Sequence, residues 1–187
     1  MKFNSNGYEF QFFNGGSKVA KISATGQIYS DAGTTIITPA SDFAEWTAVK
    51  GKIEDYGVGV VVQQSLTEDM IVEVADNPKV AYGVVTDRAT FCGGFPKTDI
   101  ELEIVKKDFM DLPVTELEEK YNAKRIAMAG HVLCKVKGTI NRGDRLTVSE
   151  ISGVAKTAVT VSEEISSFAI ARQSYNSEDI GLIEVKL

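Results

Sequence analysis

From residue 43 onward the chain is a succession of short apolar runs broken by polar or glycine-containing stretches. The runs are "VGVVVQQ" (58–64), "MIVEVA" (70–75), "KVAYGVVT" (79–86), "IELEIV" (100–105), "IAMAGHVLCKV" (126–136), "DRLTVS" (144–149), "AVTVS" (158–162), "FAIARQS" (168–174) and "GLIEVKL" (181–187). They are rich in Val and Ile and bounded by Gly, Asp, Asn and Ser, the pattern of strands and their turns. So many runs at such short spacing predict a sandwich or a compact barrel rather than alternating βαβ units. One stretch breaks the pattern. In "VTELEEKYNAKR" (114–125), Thr115 and Glu118 make a T-x-x-E capping box and Glu116 stands four residues before Lys120, which predicts one helix inserted between strands.

The first forty residues read differently. "YEFQFF" (8–13), "SKVAKI" (17–22) and "GQIYS" (26–30) are strand-like, and Asn14-Gly15-Gly16 between the first two supplies residues that tolerate the positive φ of a tight hairpin. Their main aliphatics are Val19, Ile22 and Ile28, too few to offset the chain entropy of folding alone. The segment therefore needs a partner, either the rest of the chain or copies of itself.

Composition narrows the function. The chain has 187 residues, 43% of them hydrophobic, enough for one domain with a real core and a small extension. Its formal charge of −6 argues against nucleic acid and anionic membrane surfaces as partners, because both are bound by clustered Lys and Arg. The longest purely apolar run lies near "VGVVV" (58–62), far short of a membrane-spanning helix, and "MKFNSNGYEF" (1–10) lacks the apolar core of a secretory signal. Cys92 and Cys134 make no CxxC pair and no zinc pattern, and a single histidine, His131, cannot build a His-rich metal site. No cofactor and no metal are expected.

Most short motifs have an ordinary reading. "GGFPKT" (93–98) lacks the glycine spacing of a phosphate loop. Arg142-Gly143-Asp144 reads as a turn entering a strand rather than an adhesion tripeptide. His131, in a Val/Leu/Ala run, reads as a satisfied, partly buried side chain.

"PASDFAEW" (39–46) carries more chemistry. It sets Ser41 before Asp42, adds Glu45 three positions later, and ends on the chain's only tryptophan, Trp46. Cutting a peptide bond needs a nucleophile, a polarised carbonyl and a proton for the leaving amine. Ser41 offers a hydroxyl beside its own carbonyl, Asp42 assists from the other side, and Glu45 serves as acid or base if burial against Trp46 raises its pKa. An i,i+3 spacing joins Asp42 and Glu45 on a helical turn but sends them to opposite faces of a strand. The constellation thus needs a turn there, or a carboxylate from a second subunit. The alternative is structural, with Ser41 or Asp42 as the N-cap of a short helix.

"FFNGGSKVAKISATGQIYSD" (12–31) resembles the stalk-end segments of bacteriophage tail fibres and tailspikes, and "SDFAEW" followed by "IEDYGVGVVV" (53–62) resembles the start of the phage neck-appendage self-cleaving chaperone domain. The resemblance implies a trimeric domain that assists folding of the fibre ahead of it and is released by cleavage of a serine–aspartate bond. Carried onto this chain, the scissile bond is Ser41–Asp42, with Asp42 and Glu45 as the assisting carboxylates. A chain folded in a reducing host cytoplasm is expected to keep Cys92 and Cys134 as free thiols.

The expected protein is mainly β, a stalk-like segment (1–40) ahead of a compact sandwich or barrel-like domain (41–187) with one inserted helix, assembled as a homotrimer. Its expected role is that of a phage virion fibre or appendage component, working with other virion proteins and a host-surface receptor, with no nucleic acid and no membrane insertion. A capsid decoration protein is the first alternative and self-cleavage at Ser41–Asp42 the second. The stalk ahead of that bond is too short to need a disposable chaperone, which favours an intact chain. A β-rich hydrolase using Asp42, Glu45 or the Glu178/Asp179 pair is the enzyme-class rival, and no second constellation accompanies those acids.

Overall fold

The computed structural model describes residues 10–14, 16–22, 28–30, 35–36, 42–77 and 80–187. Its organising element is the strand Ala123–Ile140, 18 residues long, which will be β10 in chain order. Val, Ile, Ala, Leu and Cys recur along it, and two irregularities let so long a strand bend. The first falls between Ala127 and Ala129, where Met128 is the extra residue, and is followed by Gly130 at φ +100. That conformation is open to glycine at little cost. Here the strand passes from one set of partners to another.

The first set is β5 (Asp42–Val49), β6 (Val61–Gln64), β7 (Ile71–Val74) and β8 (Ala81–Val85). β10 pairs with β5 over residues 123–130 and with β8 at Ile126 and Ala127; β5 pairs with β7, β7 with β6, and β6 with β8. The pairings close into a ring. Val49, Tyr56, Val60, Val62, Val72, Val85 and Ile126 pack within it. The second set is β11 (Arg145–Val148), β12 (Ala155–Thr157), β13 (Ala169–Ala171) and β14 (Tyr175–Lys186). β14 pairs with residues 131–140 of β10, β12 with Val136, and β11 and β13 join them into a second ring around Val132, Cys134, Val136, Ile140, Leu146 and Ile183. The mainly β, sandwich-like domain read from the strand pattern is what the chain adopts.

A third cluster lies under two helices, α1 (Leu102–Asp111) and α2 (Val114–Tyr121). Phe109 is its centre, with ring centroids 5.1 Å from Trp46, 5.1 Å from Phe95 and 5.8 Å from Tyr121. Two expectations fail here. "IELEIV" is not a strand: α1 begins inside it, because Val105, Phe109 and Met110 form the buried stripe of a helix. The Thr115–Glu118 box does not form either. Pro113 occupies the N-cap without a side-chain bond, which puts Thr115 inside the first turn. Lys120 pairs with Asp108 at 2.5 Å instead of Glu116. "AVTVS" likewise opens a short helix, α3 (Val161–Ile165), whose cap is a true capping box: the Glu163 amide donates to Thr160 Oγ1 (3.2 Å) and the Thr160 amide to Glu163 Oε2 (3.0 Å).

The N-terminal strands extend the first sheet outward. β1 (Phe10–Asn14) and β2 (Ser17–Ile22) form the expected hairpin, β3 (Ile28–Ser30) and β4 (Thr35–Ile36) follow, and β4 joins β9 (Phe91–Gly93), which in turn lies beside β5. Lys18 ties β2 to the end of α1 through the Asp111 carboxylate and the Met110 carbonyl.

Candidate functional site around Asp42

β5 starts at Asp42, so "DFAEW" is extended and no helix begins there for Ser41 or Asp42 to cap. Strand alternation sends Asp42, Ala44 and Trp46 inward and Phe43 and Glu45 outward. Within one chain the two carboxylates therefore stand on opposite faces. Glu45 lines a cleft with Tyr82 and Lys97 on the outer side. Ser41, the other candidate, lies outside the described residues.

Asp42 is 1% exposed. Its backbone carbonyl accepts from the Thr90 amide at 2.9 Å, which fixes the strand start against the approach to β9. Burial pushes the carboxyl above the usual aspartate range; hydrogen bonds from Thr86 and Thr90 and the charge of Arg125 pull the other way without cancelling it. Its Oδ2 has no hydrogen-bond partner. Among the described residues only four buried side-chain polar atoms share that condition, and Thr90 Oγ1 and Arg125 Nε are two of the others. Each such atom costs about 1–3 kcal/mol of lost solvation, so the Asp42 carboxyl marks a place where folding stability is given up.

The site opens onto a cleft of about 290 Å³ lined by Asp42, Val58, Thr86, Arg88, His131 and Glu184 with their neighbours. His131 is half-buried, and its Nδ1 accepts from Arg172 Nη1 at 2.8 Å, which leaves the other ring nitrogen to carry the proton. Arg172 also pairs with Glu184 at 3.2 Å. Trp46 packs inward against Phe109 and also lines the outer cleft that holds Glu45.

The remaining candidates fall elsewhere. Arg142-Gly143-Asp144 forms the turn between β10 and β11, with Asp144 Oδ2 accepting from the Asn141 amide at 2.8 Å. Glu178 is exposed and reaches Lys137 at 3.7 Å, and the Asp179 amide donates to Ser177 Oγ. Cys92 and Cys134 are free and buried, and burial pushes both thiols up to about 12. Sequence reasoning missed Thr86, Thr90 and Arg125. No local motif marks them, because only the folded chain brings Thr86 and Thr90 to Asp42 and sets Arg125 opposite Trp46. The one available signal was a charged residue, Arg125, at an inward position of an apolar strand.

No family model matches the chain, and no curated protein matches it. Among solved structures the chain is similar to the pre-mature gene product 12 of bacteriophage phi29, with a TM-score of 0.54 and 14% identity over 91% of this chain and 24% of that one. It is also similar to a C-terminal fragment of that gene product, with a TM-score of 0.49 and 15% identity over 78% of this chain and 99% of the fragment. The chain thus spans about a quarter of the length of the first of these, and what it shares at such identity is a fold.

Proposed function

We propose that the chain is a structural component of a bacteriophage virion, a fibre or appendage module that acts as a homotrimer and contributes to host attachment. The observation that supports this is the fold likeness to a phage gene product over 91% of the chain, together with the resemblance of "SDFAEW" and "IEDYG" to the neck-appendage domain. Among the described residues β1 ends the strand order, a position that fits assembly with further copies. Locating tagged protein in intact particles by electron microscopy tests the proposal. Density on the tail or its appendages supports it, and density spread over the capsid surface would favour a decoration protein instead.

A second reading is self-cleavage at Ser41–Asp42, and the buried, partnerless Oδ2 of Asp42 favours it. Hydrolysis there adds one water: its hydroxyl goes to the Ser41 carbonyl carbon, the C–N bond breaks, and a proton goes to the Asp42 nitrogen. A carboxyl whose burial strengthens its hold on a proton is suited to carry that proton to the bond. Glu45, on the opposite face, could take part only from a neighbouring copy. Intact-mass analysis of the denatured protein decides the matter. A fragment beginning at Asp42, lost in Asp42→Asn, supports the reading, and an undivided chain under all conditions removes it.

A further inference from the structure

We propose that an apolar row on the outer face of the first sheet is the surface through which copies of this chain pack against one another. The inference names the contact face of the homotrimer proposed above and rests on that reading.

The row follows from strand register. Phe10 of β1 stands opposite Ile22 of β2, Ile22 opposite Ile28 of β3, and Ile28 opposite Ile36 of β4. Ile36 in turn pairs with Phe91 of β9, Phe91 with Phe43 of β5, and Phe43 with Ala129 of β10. Residues paired across strands share a face of the sheet, and one apolar line therefore crosses seven strands. Phe10 and Phe43 are each 57% exposed, Ile28 43% and Phe91 38%, and Ala129 is exposed as well. The reverse face is already covered: Lys21, Ala44 and Cys92, each next in the chain to a residue of the row, are buried. The rings of Phe43 and Phe91 lie 6.1 Å apart, so the two aromatics form one continuous patch.

The size of the row suits a protein interface. At about 4.8 Å between neighbouring strands it is roughly 30 Å long. A stable interface takes about 800 Å² from each partner, a patch roughly 28 Å across, so the row is long enough to be its core. The exposed parts of its aromatic and aliphatic side chains leave on the order of 400 Å² of apolar surface in water, a size at which such patches commonly bind something.

Chemistry selects a second copy as the occupant. No position of the row holds a polar or charged residue, so it offers nothing to orient a small polar ligand. Copies of a chain with a formal charge of −6 repel one another, and an uncharged face is where that repulsion opposes contact least. A copy also brings an identical row, which matches without charge pairing. The row crosses from β4 to β9, so a copy lying on it would clamp the N-terminal strands to the domain. That meets the need of a segment whose own aliphatics are too few to hold it. Three such faces can turn toward a common axis, each covering part of its two neighbours.

The test places a charge in the row. The wild-type chain, Phe43→Asp and Val161→Asp are compared by light scattering coupled to size exclusion over a range of concentrations, with circular dichroism to check folding. Val161 is 74% exposed on α3, outside the row, and serves as the control. The wild type should run at three chain masses. Phe43→Asp should raise the concentration at which that species dissociates by about tenfold or more, and Val161→Asp should leave it unchanged. If Phe43→Asp does not fold, Phe10→Asp, at the far end of the row, replaces it and is held to the same shift. A trimer that survives both row substitutions overturns the row as the contact face, while the homotrimer reading stands. Equal dissociation of Val161→Asp overturns it too, because added charge alone would then explain the effect. A monomeric wild type removes both readings, and hydroxyl-radical footprinting of Phe43 and Phe91 then identifies the true occupant. Protection assigns the cover to other residues of this chain, and full oxidation leaves the face to a different protein.

Discussion

Asp42 is a carboxyl placed where its charge is poorly solvated, and that placement has a definite effect on stability. Burial raises its folded pKa above the ordinary 3.8, so the folded chain keeps a proton that the unfolded chain has already lost. The contribution of Asp42 to stability is therefore greatest at acid pH and falls as pH rises through its folded pKa. Asp42→Asn cannot ionise, so its stability relative to wild type should grow from acid to neutral pH. Urea unfolding at a series of pH values measures this, and a difference that stays flat would contradict a desolvated carboxyl. The cysteines make a second residue-scale prediction. With thiols pushed to about 12 and buried, Cys92 and Cys134 should resist alkylation in the native protein and react fully once it is unfolded. Rapid native labelling of either would refute this. Gly83 makes a third. A side chain there would press into the Ala127 carbonyl oxygen and Ile126 where β8 meets β10, so Gly83→Ala should cost about 1–3 kcal/mol of unfolding free energy.

Among the elements, the α1–α2 pair hangs on one aromatic. Phe109 touches Trp46, Phe95 and Tyr121 at once, so Phe109→Ala should cost about 3–5 kcal/mol. Because Trp46 is the chain's single tryptophan, the loss should also shift its emission to the red, which a distant destabilisation would not do in the folded state. The same region shows where reading a sequence reaches its limit. Strands with dense Val and Ile, such as β6, β7, β10 and β14, were legible because a buried strand needs little else. "IELEIV" was misread because six residues of alternation look like a strand, whereas the deciding positions, Phe109 and Met110, lie beyond it, and Phe109 finds its partners Trp46, Phe95 and Tyr121 only in the folded chain. Four T-x-x-E matches occur, at Thr98, Thr115, Thr147 and Thr160, and only Thr160–Glu163 makes a capping box; at Thr115, Pro113 had already fixed the start of α2. At the site, Asp42 was legible as a candidate; its surroundings were not, because Thr86 and Thr90 meet it, and Arg125 meets Trp46, only in the folded chain.

At the scale of the whole molecule, the N-terminal strands meet the domain at few points. β4 pairs with β9 through Thr35 and Ile36, and Lys18 reaches α1. Removing residues 1–40 should therefore leave the β signal in circular dichroism largely intact, and its collapse would contradict a division at that point. The full chain should elute as a species of three chain masses by light scattering, since among the described residues β1 ends the strand order where a copy could add. A clean monomer at micromolar concentration would remove the fibre proposal.

The strand β10 belongs to both rings, and this bears on time rather than on shape. Neither ring can close until β10 has met a partner far away in the chain, β5 on one side and β14 on the other. Contacts so distant in sequence make folding slow and place it late, after β14 has been synthesised. The reverse passage is slow as well. Peeling β14 from β10 strips one wall of the second ring while its other half remains clamped by β5 and β8, so no fragment can leave without breaking a strand its neighbour still holds. The two rings should open together or not at all, and the amides of β10 should exchange with solvent only at the pace of global unfolding.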